Sequence, residues 1–352
     1  MNLNETKQFD YKSVFIYPQY SEVTSRLDVD TSISLKDNLF DENCPVLRLG
    51  VPVISANMDT VTDGRMAIAM SRAGALGAIH RFMSIEQNIL EFEMTKAEGC
   101  ECFVSLGVNS DSQERAEALF FKAKARNFII DIAHGHSRMM KDMIGWMRGR
   151  FGIYAYIMAG NVATPEGALD LFDWGADAVK VGIGPGAVCT TKNITGVTVP
   201  QWSAVAEVCS PKNRAKYKHI LINNQKNNGN KIPVLVADGG IQEIGDIAKA
   251  LGAGADLVMS GRLFAACCEA PGPRINGKKV YRGMASRDAM LSIKDSSVLP
   301  TPEGISTVLD VLDESVAQVI GHIKGGLQSS MSYSNARNLV DFKATARFGV
   351  RG

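Results

Sequence analysis

No apolar run in these 352 residues approaches the roughly 18 that a membrane span demands. The opening MNLNETKQFD lacks both the basic and the apolar parts of a signal peptide, so a cytoplasmic protein is expected. Cysteine is sparse: seven residues, an odd number, with no CxxC pairs at metal-binding spacing. That argues against a disulfide framework and against a zinc site. Most thiols are expected to be reduced, with Cys44, Cys209, Cys267 and Cys268 as buried small hydrophobes. Net charge is almost absent too. Thirty-eight Lys and Arg against 37 Asp and Glu leave +1, no global field to draw the chain to nucleic acid or to an anionic membrane. A charged ligand must therefore be held by local groups.

What is present is a rhythm. From residue 50 onward, short runs rich in Val, Ile and Ala alternate with stretches whose apolar residues recur at three- and four-residue spacing. The runs are VPVISA, ALGAIH, CFVSLGV, FIIDIA, YAYIMAG, ADAVKVG, IPVLVAD and DLVMS. The intervening helical segments include 63–73, 86–98, 111–127, 137–150, 164–174 and 244–252. Eight such alternations predict parallel βαβ units closed into an α/β TIM (β/α)8 barrel, one catalytic domain over 1–352. Gly-Ala-Asp at 175–177 and Gly-Ala-Gly-Ala-Asp at 252–256 each precede an apolar run, as helix C-caps feeding strands. Two long insertions, a cysteine loop at 183–199 and a mobile flap region at 262–305, follow strands and so fall on the face where such barrels carry catalysis. The basic stretch 210–231 precedes a strand, which puts it on the opposite face as a solvated, mobile loop rather than a nucleic-acid patch.

The segment VGIGPGAVCTTKNITGVTVPQ, 181–201, is the richest in chemistry. Glycines at 182, 184 and 186 permit a tight turn with inward-pointing backbone groups, and the turn presents Cys189, Thr190 and Thr191. In a polar loop such a cysteine acts as a nucleophile; packed inside, it is one more small hydrophobe. Both readings stand at this point. VADGGI and VMSGRLF follow strands seven and eight, where barrels commonly bind phosphate, and Gly239, Gly240 and Gly261 would admit backbone N–H groups with Arg262 adding charge. Other strand ends present Asn57, Asp59, His80, Arg81, Asp131, Asn161 and Asp238 as ligand groups. His134 and His136 lack an evident third partner for a metal.

These residues resemble the IMP dehydrogenase and GMP reductase family through ANMDTV, VGIGPGAVCTT, GVTVPQ, VADGGI, YRGM, PEG and GGL, in order and over nearly the whole chain. The resemblance implies that Cys189 adds to C2 of a purine nucleotide, with Thr191 and Glu303 moving protons. It implies that Asp238 holds the ribose, that Tyr281, Gly239, Gly240 and Gly261 hold the phosphate, and that Met284 and Ala285 hold the base. Asn57, Arg81, Asp131 and Asn161 would face the nicotinamide. NADPH is the implied cofactor, with NADH or NAD as alternatives and no flavin. Carbonyls of Gly184, Gly186 and Cys189 would hold a potassium ion, and the family implies a homotetramer. No tandem regulatory domain interrupts the barrel. After YRGM, LSIKDSSVLPTPEG at 291–304 has no Arg or Tyr, which resembles the reductase branch, GMP going to IMP and ammonia. IMP oxidation to XMP, or reduction of a related purine nucleotide, is the alternative. A flavin-dependent barrel oxidoreductase and a catalytically silent nucleotide-binding oligomer are the readings from other classes. The chain departs from the family at Ala187, where serine is usual, at Arg262 for a small residue, at Arg81 for lysine and at Thr198 for glycine.

Overall fold

The eight apolar runs all become strands: β1 Val53–Ser55, β2 Leu76–Ile79, β3 Cys102–Leu106, β4 Asn127–Asp131, β5 Tyr156–Val162, β6 Ala178–Val181, β7 Val234–Asp238 and β8 Leu257–Ser260. The computed structural model describes residues 7–35, 47–223, 232–293 and 301–351. Each barrel strand pairs in parallel with the next, and β8 pairs in parallel with β1. The sheet thus closes as the expected (β/α)8 barrel. Such strands are covered on both faces, which is why they read as continuous apolar runs rather than alternating ones. Ile54, Phe103, Ile129, Met158, Val236 and Met259 fill the barrel interior. Their neighbours Val104, Ile130, Ile157, Val179, Leu235 and Val258 pack outward into the larger core beneath the helices. Each such side chain, fully buried, is worth about 1.5–3 kcal/mol.

Helices form at Gly64–Arg72, Ile85–Ala97, Arg138–Phe151, Pro165–Trp174 and Ile244–Gly252. Asp63, Ser84, Ser137 and Thr164 start the first four by accepting a backbone N–H in the first turn. The predicted helix over 111–127 is shorter: Ser112–Glu117 runs into a π turn at Ala118–Lys122, and Asn127 already belongs to β4. The two Gly-Ala-Asp repeats have a shared role. Asp177 Oδ2 accepts the Ile157 N–H at 2.7 Å and the Arg148 guanidinium at 2.5 Å. Asp256 Oδ2 accepts the Leu235 N–H at 2.8 Å and the Arg214 guanidinium at 2.7 Å, while Lys343 pairs with its other oxygen. Each aspartate locks the start of its strand to the preceding strand and to a helix.

The basic stretch is not the loop expected of it. Pro211–Asn223 is a helix with Tyr217 and Leu221 buried, and the last eight residues of the basic stretch, 224–231, lie outside the described residues. Tyr217, Ile220 and Leu221 give it an apolar seam that the lysines obscure. The second insertion folds in part: strands Arg274–Ile275 and Lys278–Arg282 pair with Ser306–Leu309 in a three-stranded antiparallel sheet. Val14–Ile16 pairs with Phe348–Val350, so the two ends of the described chain meet. Among the described residues no helix is long and apolar enough to cross a membrane.

Candidate functional site

Strand parity builds the floor of the site. Ile129, Ala178 and Val236 point into the barrel, and two residues further on the same faces carry Asp131, Lys180 and Asp238. The top layer of the barrel is therefore charged. Lys180 is 1% exposed, and its Nζ pairs with Asp131 Oδ1 and, at 3.0 Å, with Asp238 Oδ2. Asn57 donates to Asp131 Oδ2 at 3.1 Å; Asn161 donates to Asp238 Oδ2 at 2.9 Å and to the Gly182 carbonyl at 2.8 Å. Burial works against the Lys180 ammonium, yet the two carboxylates hold its pKa above the usual lysine value. Burial likewise raises the Asp131 pKa, and Lys180 outweighs it, leaving the carboxyl below its ordinary range.

Above this floor the cysteine loop and the PEG segment are joined by main-chain bonds. The Thr190 N–H donates to the Glu303 carbonyl at 2.9 Å and the Ile305 N–H to the Val188 carbonyl at 3.0 Å. Glu303 in turn donates its N–H to the Ala285 carbonyl at 3.0 Å. Glycine is required in the turn itself, where Gly182 and Gly184 have φ of +147° and +84°. Thr198 closes the far end by donating to the Ile183 carbonyl at 2.9 Å. The side chains then line up: Cys189 Sγ donates to Thr191 Oγ1 at 3.2 Å, and Thr191 Oγ1 donates to Glu303 Oε2 at 2.9 Å. A thiol, a hydroxyl and a carboxylate from two insertions form one hydrogen-bonded path.

The path opens on a cavity of about 370 Å³ at the C-terminal ends of the strands. Asn57, Arg81, Asp131 and Asn161 line one part of it. Asp238, Gly239, Gly261, Tyr281, Met284 and Ala285 line another, and Gly184, Gly186 and Cys189 the rim between. Arg81 lies over the Phe82 ring at 4.7 Å, and burial lowers its pKa. Its Nε is buried without a hydrogen-bond partner, as is Asn161 Oδ1. Tyr281 is pushed up to about 12 by burial, with Arg262 opposing.

Other expected ligand groups stand elsewhere. Gly240 packs on Gln201 and Arg262 is exposed on the short helix Arg262–Ala265, so neither lines the cavity. Asp59 is ion-paired with Arg282. His80 is buried, which drives its pKa down to about 4, and its Nδ1 accepts the Phe82 N–H at 3.1 Å. His136 pairs with Asp170 at 2.8 Å, and no group of three or more metal-ligating side chains occurs among the described residues. Cys209 and Cys267 are buried and pushed up to about 12 by it, whereas Cys268 is exposed, contrary to expectation; Cys44 lies outside the described residues. Its position beyond the short helix Arg262–Ala265 leaves Cys268 on the surface, where its thiol donates to Glu269 Oε2 at 3.1 Å. Sequence reasoning passed over Lys180 and Gln201. Gln201 is wholly buried and donates to the carbonyls of Val181, at 2.8 Å, and Asp238, at 3.1 Å.

Comparison with known proteins places this arrangement. The model of the IMP dehydrogenase / GMP reductase domain matches residues 8–351. A GMP reductase of Acidovorax sp. (strain JS42) is 34% identical over 341 residues, 95% of this chain and 94% of its own. An inosine-5'-monophosphate dehydrogenase of Borreliella burgdorferi is 32% identical over 401 aligned residues, 96% of this chain and 92% of its own. A GMP reductase of Lactobacillus delbrueckii subsp. bulgaricus is 32% identical, covering 97% and 94%.

Proposed function

Since this chain belongs to the IMP dehydrogenase / GMP reductase family, we propose that it is an oxidoreductase that converts GMP to IMP and ammonia through a covalent adduct on Cys189. The observation that carries the reading is the Cys189–Thr191–Glu303 path at the cavity rim. The Cys189 sulfur adds to C2 of the purine, and the thiol proton moves through the Thr191 hydroxyl to Glu303. Glu303 and Thr191 then return a proton to the 2-amino group, which leaves as ammonia while the C–S bond remains. Asp238, with Oδ2 held by the protein, offers its remaining oxygen to the ribose hydroxyls. Gly239, Gly261 and Tyr281 form the wall for the 5′-phosphate, with Gly240 and exposed Arg262 behind it, and Met284 and Ala285 the wall for the base.

The residues at the Asp131 end suit a nicotinamide: a carboxamide can pair with the orphaned Arg81 Nε and Asn161 Oδ1, beside Asn57 and Asp131. When bound, the cofactor, NADPH in the reductase branch, supplies the hydride that C2 accepts as the C–S bond breaks. For potassium the fit is partial. Of the three carbonyls, that of Gly186 already accepts the Cys189 N–H at 3.1 Å and has one lone pair left for the ion, which enters no step here. The working form is taken to be a homotetramer, which light scattering checks. The reductase direction is favoured over IMP oxidation because residues 291–304 carry neither Arg nor Tyr to activate water. Absorbance at the nicotinamide band, with GMP plus NADPH and separately with IMP plus NAD, decides the direction. In the active direction Glu303→Gln is expected to slow turnover by about a hundredfold or more while GMP binding stays within a few-fold. An unchanged rate would remove Glu303 from the mechanism.

A further inference from the structure

The chemistry above does not use Lys180, although it is the most buried charged group in the cavity floor. We propose that Lys180 is a positioning residue that ties the nucleotide half of the cavity to its nicotinamide half, one ammonium holding Asp238 and Asp131 together. The inference rests on the functional reading above and deepens it, by naming how the two ligand subsites are coupled.

The geometry leaves little freedom. Asp131 is held at both oxygens, Oδ1 by Lys180 and Oδ2 by Asn57. Asp238 is held at Oδ2 alone, which accepts from Lys180 at 3.0 Å and from Asn161 at 2.9 Å, so Oδ1 is the oxygen presented to a ligand. Any rotation of Asp131 therefore moves the ammonium on which the orientation of Asp238 depends. The fold makes room for this one side chain. A Cβ at Gly160 would stand 2.6 Å from the Lys180 Cβ, so the neighbouring strand has to be bare there. A lysine serving merely as filler would be replaceable by an apolar side chain of similar length. Here that replacement leaves two carboxylates in an enclosed site without their cation, and one of them takes up a proton, turning an acceptor into a donor.

The test is calorimetric binding of GMP alone and of NADP+ alone to the purified protein, with thermal melting as the check on folding. Lys180→Met is expected to weaken both ligands about fivefold or more, and Lys180→Arg to recover part of the loss for both. Because the Met variant can fail to fold, Asp131→Asn provides a milder second measurement. It is expected to weaken GMP at least about threefold with no cofactor present, since the perturbation has to travel through Lys180. A GMP affinity unchanged by Asp131→Asn overturns the tie, as does a folded Lys180→Met protein that binds both ligands like the wild type. A wild type that binds neither GMP nor IMP overturns the functional reading and this inference with it, whereas failure of the variants alone leaves that reading standing.

Discussion

The two ends of the barrel are built from the same chemistry and put it to opposite uses. At the N-terminal end, Asp177 and Asp256 are locked by Arg148, Arg214 and Lys343, with side-chain exposure of 0% and 9%. At the C-terminal end, Asp131 and Asp238 share Lys180, but their side chains remain 30% and 18% exposed to the cavity. A carboxylate buried with its cation orders the chain; one open to the cavity, as Asp238 is with Oδ1 unheld, has an oxygen for a ligand. Access, rather than charge, separates structure from function here.

Variants at the two ends should therefore fail in different ways. The largest effect is expected from Cys189→Ser at the top: turnover falls about a thousandfold or more with the melting temperature and GMP binding nearly unchanged. Substantial residual turnover would exclude the covalent route. At the bottom, Arg148→Met leaves Asp177 buried without its cation, and is expected to cost about 3–5 kcal/mol of stability with the Michaelis constant for GMP unaltered at temperatures where the variant is folded. A changed Michaelis constant with an unchanged melting curve would break the division of labour between the ends.

His80 tests the comparison from inside the top. It lies at the end of β2 yet is buried and outside the cavity lining, so it should behave like a bottom residue. Its pKa is pushed down to about 4 by burial, against about 6.5 when unfolded. Between those values the unfolded chain binds a proton that the folded one does not. Stability is thus fully present above about pH 6.5 and declines as pH falls, by about 1.4 kcal/mol per unit and about 3 kcal/mol in all. Denaturant titrations from pH 7 to 4 should show this contribution in the wild type and its absence in His80→Gln; parallel curves would refute it. The smallest effect is expected at Arg262. An exposed charge acting at a distance contributes roughly 0.2–1 kcal/mol, so Arg262→Ser should weaken GMP about two- to threefold and leave guanosine binding untouched. A loss of tenfold or more would mean that the side chain folds over the phosphate when ligand is bound.

The eight strands were legible because parallel strands buried on both faces leave unbroken apolar runs, and the helices because their apolar residues recur at three- and four-residue spacing. The helix Pro211–Asn223 was not legible as one, because counting lysines hid the seam of Tyr217 and Leu221. The outer sheet of strands within 274–309 escaped notice for a different reason: its strands span only two to five residues without a sustained pattern, Arg274–Ile275 being exposed throughout and Lys278–Arg282 holding three buried residues in a row. Lys180 was hidden inside ADAVKVG, which reads as core. The signal was there in parity, since Lys180 shares the inward face of Ala178 and a lysine facing a barrel interior needs a carboxylate to meet it. Cys189, Thr191 and Glu303 were readable as motifs, but their meeting was not, since 112 residues separate Thr191 from Glu303.

That meeting is set by a register. Glu303 reaches Thr191 because Val188–Thr190 and Glu303–Ile305 are zipped by main-chain bonds that contain no catalytic atom. In an extended pairing, a slip of one residue turns every side chain to the opposite face. The residues on either side of Glu303 are Pro302 and Gly304, neither of which carries a titratable group. A misaligned closure would therefore bring an inert residue beside the nucleophile rather than a poorly placed acid. The zipper works as a combination lock, in which a single alignment gives a working catalyst and the adjacent ones give none.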